Sequence, residues 1–214
     1  QTVAVEVNAC SIGEIALDTQ WRTYSLAAPA ECLRAALNDI ELCAQEPRSV
    51  SGLHETDVTR AIGETGVESP VAITVQSAGM DVGDLGHIWI DGVEQSPDGR
   101  GYNLVALDPV TGALIGRDSF DTHLDAGASQ RLAAWIEGLP AGTIVALAAK
   151  DEASMSLDES AVAALRLLGF EGNLRGHFRG SHAGVGVAGA PAGSALEALA
   201  DWQPATVVVG NGAM

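Results

Sequence analysis

At 214 residues the chain is long enough to bury a substantial core as one large domain or two small ones. Its composition is globular, with 47% hydrophobic and 18% charged residues, and no apolar run nears the ~20 residues of a membrane span. The 28 acidic against 11 basic residues leave a formal charge of −17 with Lys150 as the single lysine. That balance excludes a phosphate-tracking nucleic-acid binder and disfavours an anionic membrane surface.

The first part, to about Thr65, reads as β. Val3, Val5 and Val7 alternate with Ala4 and Glu6, the period of a half-buried strand. Gly13 to Leu17 and Arg22 to Leu26 flank the turn Asp18-Thr19-Gln20, and Asn38 to Cys43 alternates again. Ala30 to Leu37, after Pro29, predicts a short helical turn. Cys10, Cys32 and Cys43 include no C-x-x-C pair, which argues against a zinc ribbon or a thioredoxin-type site. Two readings stay open: one disulfide with a free thiol, as in a secreted protein, or three buried thiols. The absence of Met at position 1 fits a processed product, as a cleaved signal peptide would leave, or a piece cut for expression. Residues 44 to 69 are polar and rich in turn residues, and mark a boundary at about residue 66.

From Val71 the pattern tightens. Val71, Ile73 and Val75 alternate, and His87 to Asp91 forms a strand before Gly92. Asn103 to Leu107 and Ala113 to Ser119 enclose Asp108-Pro109-Val110-Thr111-Gly112, a hairpin signal. Leu132, Trp135, Ile136 and Leu139 recur at helical spacing, and Pro140 and Gly142 stop that helix. Thr143 to Ala149 is wholly apolar, a central strand. Ser156-Leu157-Asp158-Glu159 reads as a capping box for a helix ending at Gly169. Ala183 to Ala188 and Thr206 to Val209 supply closing strands. Gly184, Gly186 and Gly189 lie inside and after a strand, so close packing is expected there rather than a phosphate cradle.

Two carboxylate-bearing segments stand out. Asp151 leaves the apolar strand in Lys150-Asp151-Glu152-Ala153-Ser154, and Arg179 follows 28 residues later in Gly176-His177-Phe178-Arg179-Gly180-Ser181-His182. An Asp and an Arg together offer acceptor and donor forks suited to vicinal hydroxyls; the alternative is a salt bridge between loops. In Phe120-Asp121-Thr122-His123, Asp121 and His123 either line a groove or bond backbone at a strand-to-helix junction. Catalysis is rejected. Asp121, Asp151 and Glu152 could offer a carboxylate pair for glycoside hydrolysis, but chance pairs abound among 28 acids; no G-x-S-x-G elbow occurs, and His177 and His182 do not form an H-E-x-x-H pair. No metal site and no cofactor is expected.

The series from Arg100-Gly101-Tyr102-Asn103-Leu104 through Asp108-Pro109, Ser119-Phe120-Asp121-Thr122 and Gly142-Thr143 to Lys150-Asp151-Glu152 resembles the domain of the ILEI/PANDER group of secreted proteins (the FAM3 family). The same domain forms the lectin-like stem of a protein O-mannose N-acetylglucosaminyltransferase. The resemblance implies an α+β, mainly β fold, a mixed β-sandwich with two edge helices. In that stem domain, the positions of Asp151 and Arg179 contact sugar. The chain departs from the family's Arg-Asp-x-Trp, carrying Arg179-Gly180-Ser181-His182, with His182 at the aromatic's position. Ile15-Ala16-Leu17, Trp21-Arg22-Thr23-Tyr24 and Asn38-Asp39-Ile40-Glu41-Leu42 resemble jelly-roll carbohydrate-binding-like modules.

The expectation is therefore an N-terminal β module over 1–66, with a sheet shared with the C-terminal strand as one arrangement left open, and a lectin-like domain over 67–214. The protein is expected to be a non-catalytic carbohydrate-binding module, secreted or at the cell surface. Asp151, Arg179, His182 and Asp121 are its candidate contacts, with a glycan as partner. The alternative is a structural module that binds a protein partner or self-assembles through an exposed edge strand.

Overall fold

The computed structural model describes residues 2–16, 26–33, 40–44 and 59–210, the third stretch as backbone. They fall into two units, Gln1–Thr56 and Asp57–Met214. In the first, β1 (Thr2–Val7) lies between β2 (Cys10–Ala16) and β3 (Ile40–Ala44), all antiparallel. Val3, Val5 and Val7 point to one buried side, as their alternation requires. Asn8 and Ala9 both have positive φ, the signature of a two-residue hairpin turn that matches strand twist. Cys10 and Cys32 form a disulfide. Ala30–Cys32 makes a single 3-10 turn where a helical turn was expected. The strand expected at Arg22 to Leu26 (save Leu26), Trp21, the Cys43 side chain and most of the polar boundary segment lie outside the described residues.

The second unit opens with β4 (Ile73–Gly79), β5 (Leu85–Ile90), β6 (Val93–Glu94), β7 (Gly101–Leu107) and β8 (Leu114–Phe120). Helix α1 (Ala128–Glu137), strand β9 (Ile144–Asp151) and helix α2 (Glu159–Arg166) follow. Strands β10 (Ser181–Val187), β11 (Leu196–Ala200) and β12 (Ala205–Val209) close it. One layer runs β12-β4-β5-β6 and the other β8-β7-β9-β10-β11, antiparallel throughout. The layers join at one corner, where β4 and β9 pair in parallel through Ala78↔Lys150 and Gly79↔Asp151. The fold is α+β and mainly β, a mixed sandwich with two helices on an outer face. The C-terminal strand pairs with β4, inside its own unit, and the N-terminal sheet is separate.

Strand β9 shows why its sequence is continuously apolar. Ile144, Ala146 and Ala148 enter the core between the layers with Ile73, Val75 and Ile88. Val145, Leu147 and Ala149 face Leu132, Ile136 and Leu165 of the helices. A strand covered on both faces has no polar side to alternate with. Trp135 is only partly buried and meets Phe120 edge-on, with ring centroids 6.3 Å apart.

One local expectation is corrected. Helix α2 is capped by Asp158, whose Oδ1 accepts from the amides of Ser160 at 2.9 Å and Ala161 at 3.4 Å. Ser156 instead donates its hydroxyl to the His123 carbonyl at 2.8 Å, so no capping box forms. Strands β6 and β11, too short and too mixed to signal by periodicity, complete the sheet. Gly184 and Gly186 behave as expected: a Cβ on either would overlap the Phe170 ring or the Leu168 carbonyl, so the 168–170 turn lies flat on β10.

Candidate functional site

The corner where the layers join has unsatisfied ladder groups to accommodate, and serines take them up. Ser77 Oγ donates to Ala149 O at 2.5 Å and accepts from the His182 amide at 2.9 Å. Ser181 Oγ accepts from the Gly79 amide at 3.2 Å. These buried bridges replace ladder bonds where β9 and β10 part to admit β4. The sandwich thereby delivers three loops to one end.

Asp151 sits at that end with φ +60, a left-handed conformation that Asp and Asn tolerate best among residues with side chains. Its register partner is Gly79. On the other side of Gly79 lies the Arg179 backbone, so close that a Cβ on Gly79 would overlap the Arg179 carbonyl. Arg179 also has positive φ, +56, so both sequence-predicted contacts flank one glycine in uncommon backbone conformations. They are not ion-paired to each other. Arg179 Nη1 donates to Asp81 Oδ1 at 2.7 Å, and its guanidinium stands 5.0 Å from the centroid of the Phe178 ring.

Asp121 is brought to Asp151 by a residue that no sequence pattern singled out, Arg100. Its Nε donates to Asp121 Oδ1 at 3.1 Å and its Nη2 to Oδ2 at 2.7 Å, a two-point fork. Gly101 pairs with Lys150 in the β7–β9 ladder, so Arg100 is the next position, alongside Asp151. The hydrogen bond that Arg100 donates to Asp121 raises the Arg100 pKa, with smaller contributions from the charges of Asp121, Asp151 and Glu152. The same fork lowers the Asp121 pKa, helped by the amides of Leu124 and His123. Asp121 thus both bonds backbone at the junction and faces the rim.

Behind this rim, Glu152 is 1% exposed and fully engaged. Its Oε1 accepts from the Ser154 amide at 2.7 Å and from the Ser154 hydroxyl. Its Oε2 accepts from the Met155 amide at 3.2 Å and lies 2.6 Å from His123 Nδ1. Burial pushes the Glu152 carboxyl up, but these hydrogen bonds outweigh it and hold its pKa below the ordinary value. Lys150, on the opposite face of β9, is occupied by Asp98 at 2.8 Å.

His182 does not belong to the rim. It is 0% exposed, with Nδ1 3.2 Å from Tyr102 Oη and its ring edge-on to both Tyr102 and Phe170. Its Nε2 lies 3.3 Å from Glu197 Oε2 but outside hydrogen-bonding angles. As an alternating residue of β10 it points into the helix-side core, and a completely enclosed ring cannot line a surface pocket. A separate apolar depression of about 200 Å³, lined by Ile90, Val93, Gln95, Leu107, Gly112 and Leu114, opens at the other end of the sandwich. Among the described residues no group of three or more His, Cys, Asp or Glu side chains is placed to hold a metal ion.

Residues 100–190 match the family model described as Interleukin-like EMT inducer. The cell migration-inducing and hyaluronan-binding protein of Homo sapiens is 35% identical over 101 residues, 47% of this chain and 7% of that protein. Its Mus musculus counterpart is 33% identical over the same length. A cell surface hyaluronidase of Danio rerio is 38% identical over 84 residues, 39% of this chain and 6% of that protein. The chain thus spans only about 7% of the length of these two relatives. The matched segment holds β7 to β10 and both helices, while β4 to β6, β11 and β12 lie outside it and complete the same sandwich. Over residues 100–190 this chain is therefore similar to the interleukin-like EMT inducer domain.

Proposed function

We propose that the second unit is a non-catalytic carbohydrate-binding module of a secreted or cell-surface protein, and that it contacts its glycan through Asp151, Arg100, Asp121 and Arg179. One observation carries the reading: Arg100 presents a guanidinium fork beside two carboxylates, next to the Arg179–Asp81 pair, on loops held by buried serine bridges. Paired donors and acceptors on rigid elements suit vicinal hydroxyls, which need both at fixed spacing. The names of the relatives, hyaluronan-binding protein and hyaluronidase, point to the same class of ligand. The Cys10–Cys32 disulfide fits an oxidising compartment, and no helix of the described residues is long and apolar enough to cross a membrane.

A non-catalytic role agrees with the electrostatics. Glycoside hydrolysis needs a carboxylic acid with a raised pKa. Asp121 and Glu152 are both pushed the other way by hydrogen bonds. The test is a glycan array read with wild type, Asp151→Asn and Arg179→Gln, with circular dichroism to confirm folding. Asn keeps the tolerance for positive φ at position 151 and removes only the charge. Binding lost in both folded variants supports the reading, and a wild type silent across the array sinks it.

A second reading, assembly with a protein partner or a second copy, is favoured by one feature. The edge strand β8 and its turn expose Leu114 at 47%, Ile115 at 50% and Val110 at 81% beside the apolar depression. Concentration-dependent sedimentation, abolished by Ile115→Lys, would favour this reading instead.

A further inference from the structure

The rim of charged forks lacks the apolar plate on which a sugar ring lies, since the position that carries an aromatic in the resembling stem domain is His182, enclosed in the core. The structure supplies one elsewhere. Among the described aromatic rings, Tyr102, Phe120 and Phe170 are buried and Trp89 and Trp135 are half-buried. Phe178 and Trp202 are the exceptions, at 51% and 71% exposed. They come from loops 24 residues apart in sequence that leave the same end of the sheet. The β10–β11 ladder ends at Ser181↔Ala200, so the 176–180 loop and the 201–203 turn leave the sheet side by side. His177 Nδ1 and Asp201 Oδ1, the immediate neighbours of the two rings, lie 2.6 Å apart and tie the loops to each other.

Isolated exposed apolar residues are ordinary. Two exposed aromatics on loops tied to each other by an ion pair are a different arrangement. Phe178 is fixed by the Arg179 guanidinium, itself anchored on Asp81. Trp202 adjoins the His177–Asp201 pair. Phe178 is thus bordered by a donor with its carboxylate, and Trp202 follows a carboxylate in sequence. A pyranose has this composition: an apolar face of C–H groups and a rim of hydroxyls. A wholly apolar protein partner would strip water from two ion pairs without replacing their hydrogen bonds.

We propose that Trp202 and Phe178 form a stacking platform for a pyranose ring, with Asp81, Arg179, His177 and Asp201 taking its hydroxyls. The platform rests on the carbohydrate-binding reading above and extends the contact surface from Arg179 away from Asp151, to residues outside the segment shared with the interleukin-like EMT inducer family in the case of Trp202 and Asp201. It assigns the missing aromatic to a turn twenty residues beyond His182.

The experiment measures affinity of the full chain for a hyaluronan octasaccharide, for chitotriose and for the best binder on an immobilised glycan array. Wild type, Trp202→Ala, Trp202→Phe, Phe178→Ala and Asp151→Asn are compared. Both aromatic positions are exposed, so the variants are expected to fold, and circular dichroism verifies it. The expected result is binding weakened about tenfold or more in Trp202→Ala and less in Trp202→Phe, as loss of an aromatic plate predicts. Unchanged binding in Trp202→Ala and Phe178→Ala, with loss in Asp151→Asn, overturns the platform and leaves the carbohydrate-binding reading standing. A wild type that binds no glycan overturns both. A Trp202→Ala variant that loses self-association and keeps its sugar affinity also overturns the platform, assigning the patch to a protein interface.

Discussion

Arg100 holds Asp121 by two parallel hydrogen bonds, Nε to Oδ1 and Nη2 to Oδ2, while Asp151 adds its charge from the adjacent strand. The fork needs a planar guanidinium. Arg100→Lys keeps the positive charge and loses the second bond. Expected is a small change in thermal midpoint, because both side chains are about a third exposed, with a clear loss of glycan binding. Differential scanning fluorimetry beside an affinity titration checks this; equal binding by the Lys variant would show that the fork is structural only.

Glu152 contributes to stability on the acid side. Its pKa is lowered on folding, so the stability it contributes is fully present above the ordinary glutamate value, about 4.3, and is lost as pH falls through the lower folded value. Glu152→Gln removes this pH-dependent contribution and flattens the acid limb. Urea midpoints of both proteins between about pH 6 and about pH 3 test it. Curves that stay parallel down to the lowest pH would contradict it.

Gly79 is required by proximity rather than by its own dihedrals, since its φ of −63° suits any residue. Gly79→Ala puts a methyl group into the Arg179 carbonyl and must push the 176–180 loop outward. The expected cost is about 1–3 kcal/mol, together with loss of glycan binding through displaced Arg179. Chemical denaturation and an affinity measurement on the same sample separate the two effects.

The Cys10–Cys32 disulfide closes a loop with a sequence separation of 22 inside the N-terminal unit. Cys10→Ser with Cys32→Ser is expected to lower that unit's stability by about 3 kcal/mol and to leave the melting of the larger unit unchanged. Calorimetry with and without reductant resolves the two transitions.

Much of this protein is legible in its sequence because the information is local. The alternation of Val3, Val5 and Val7, the Asp-Pro-x-Thr-Gly turn, the spacing of Leu132 and Ile136 and the apolar run of β9 each fix an element through its immediate neighbours. The prominence of Asp151 and Arg179 at strand ends is legible in the same way. What the tertiary structure decided is which of these ends meet. Only the parallel contact of β4 with β9 places Gly79 between Asp151 and Arg179. Only the β7–β9 register sets Arg100 beside Asp151. The face that residue 182 takes in β10 encloses its histidine, while the end of the β10–β11 ladder leaves Trp202 in the open. The reason is physical: helix and strand periods are set by neighbours in sequence, whereas a charge finds its partner, and a ring its exposure, only when distant strands choose their register.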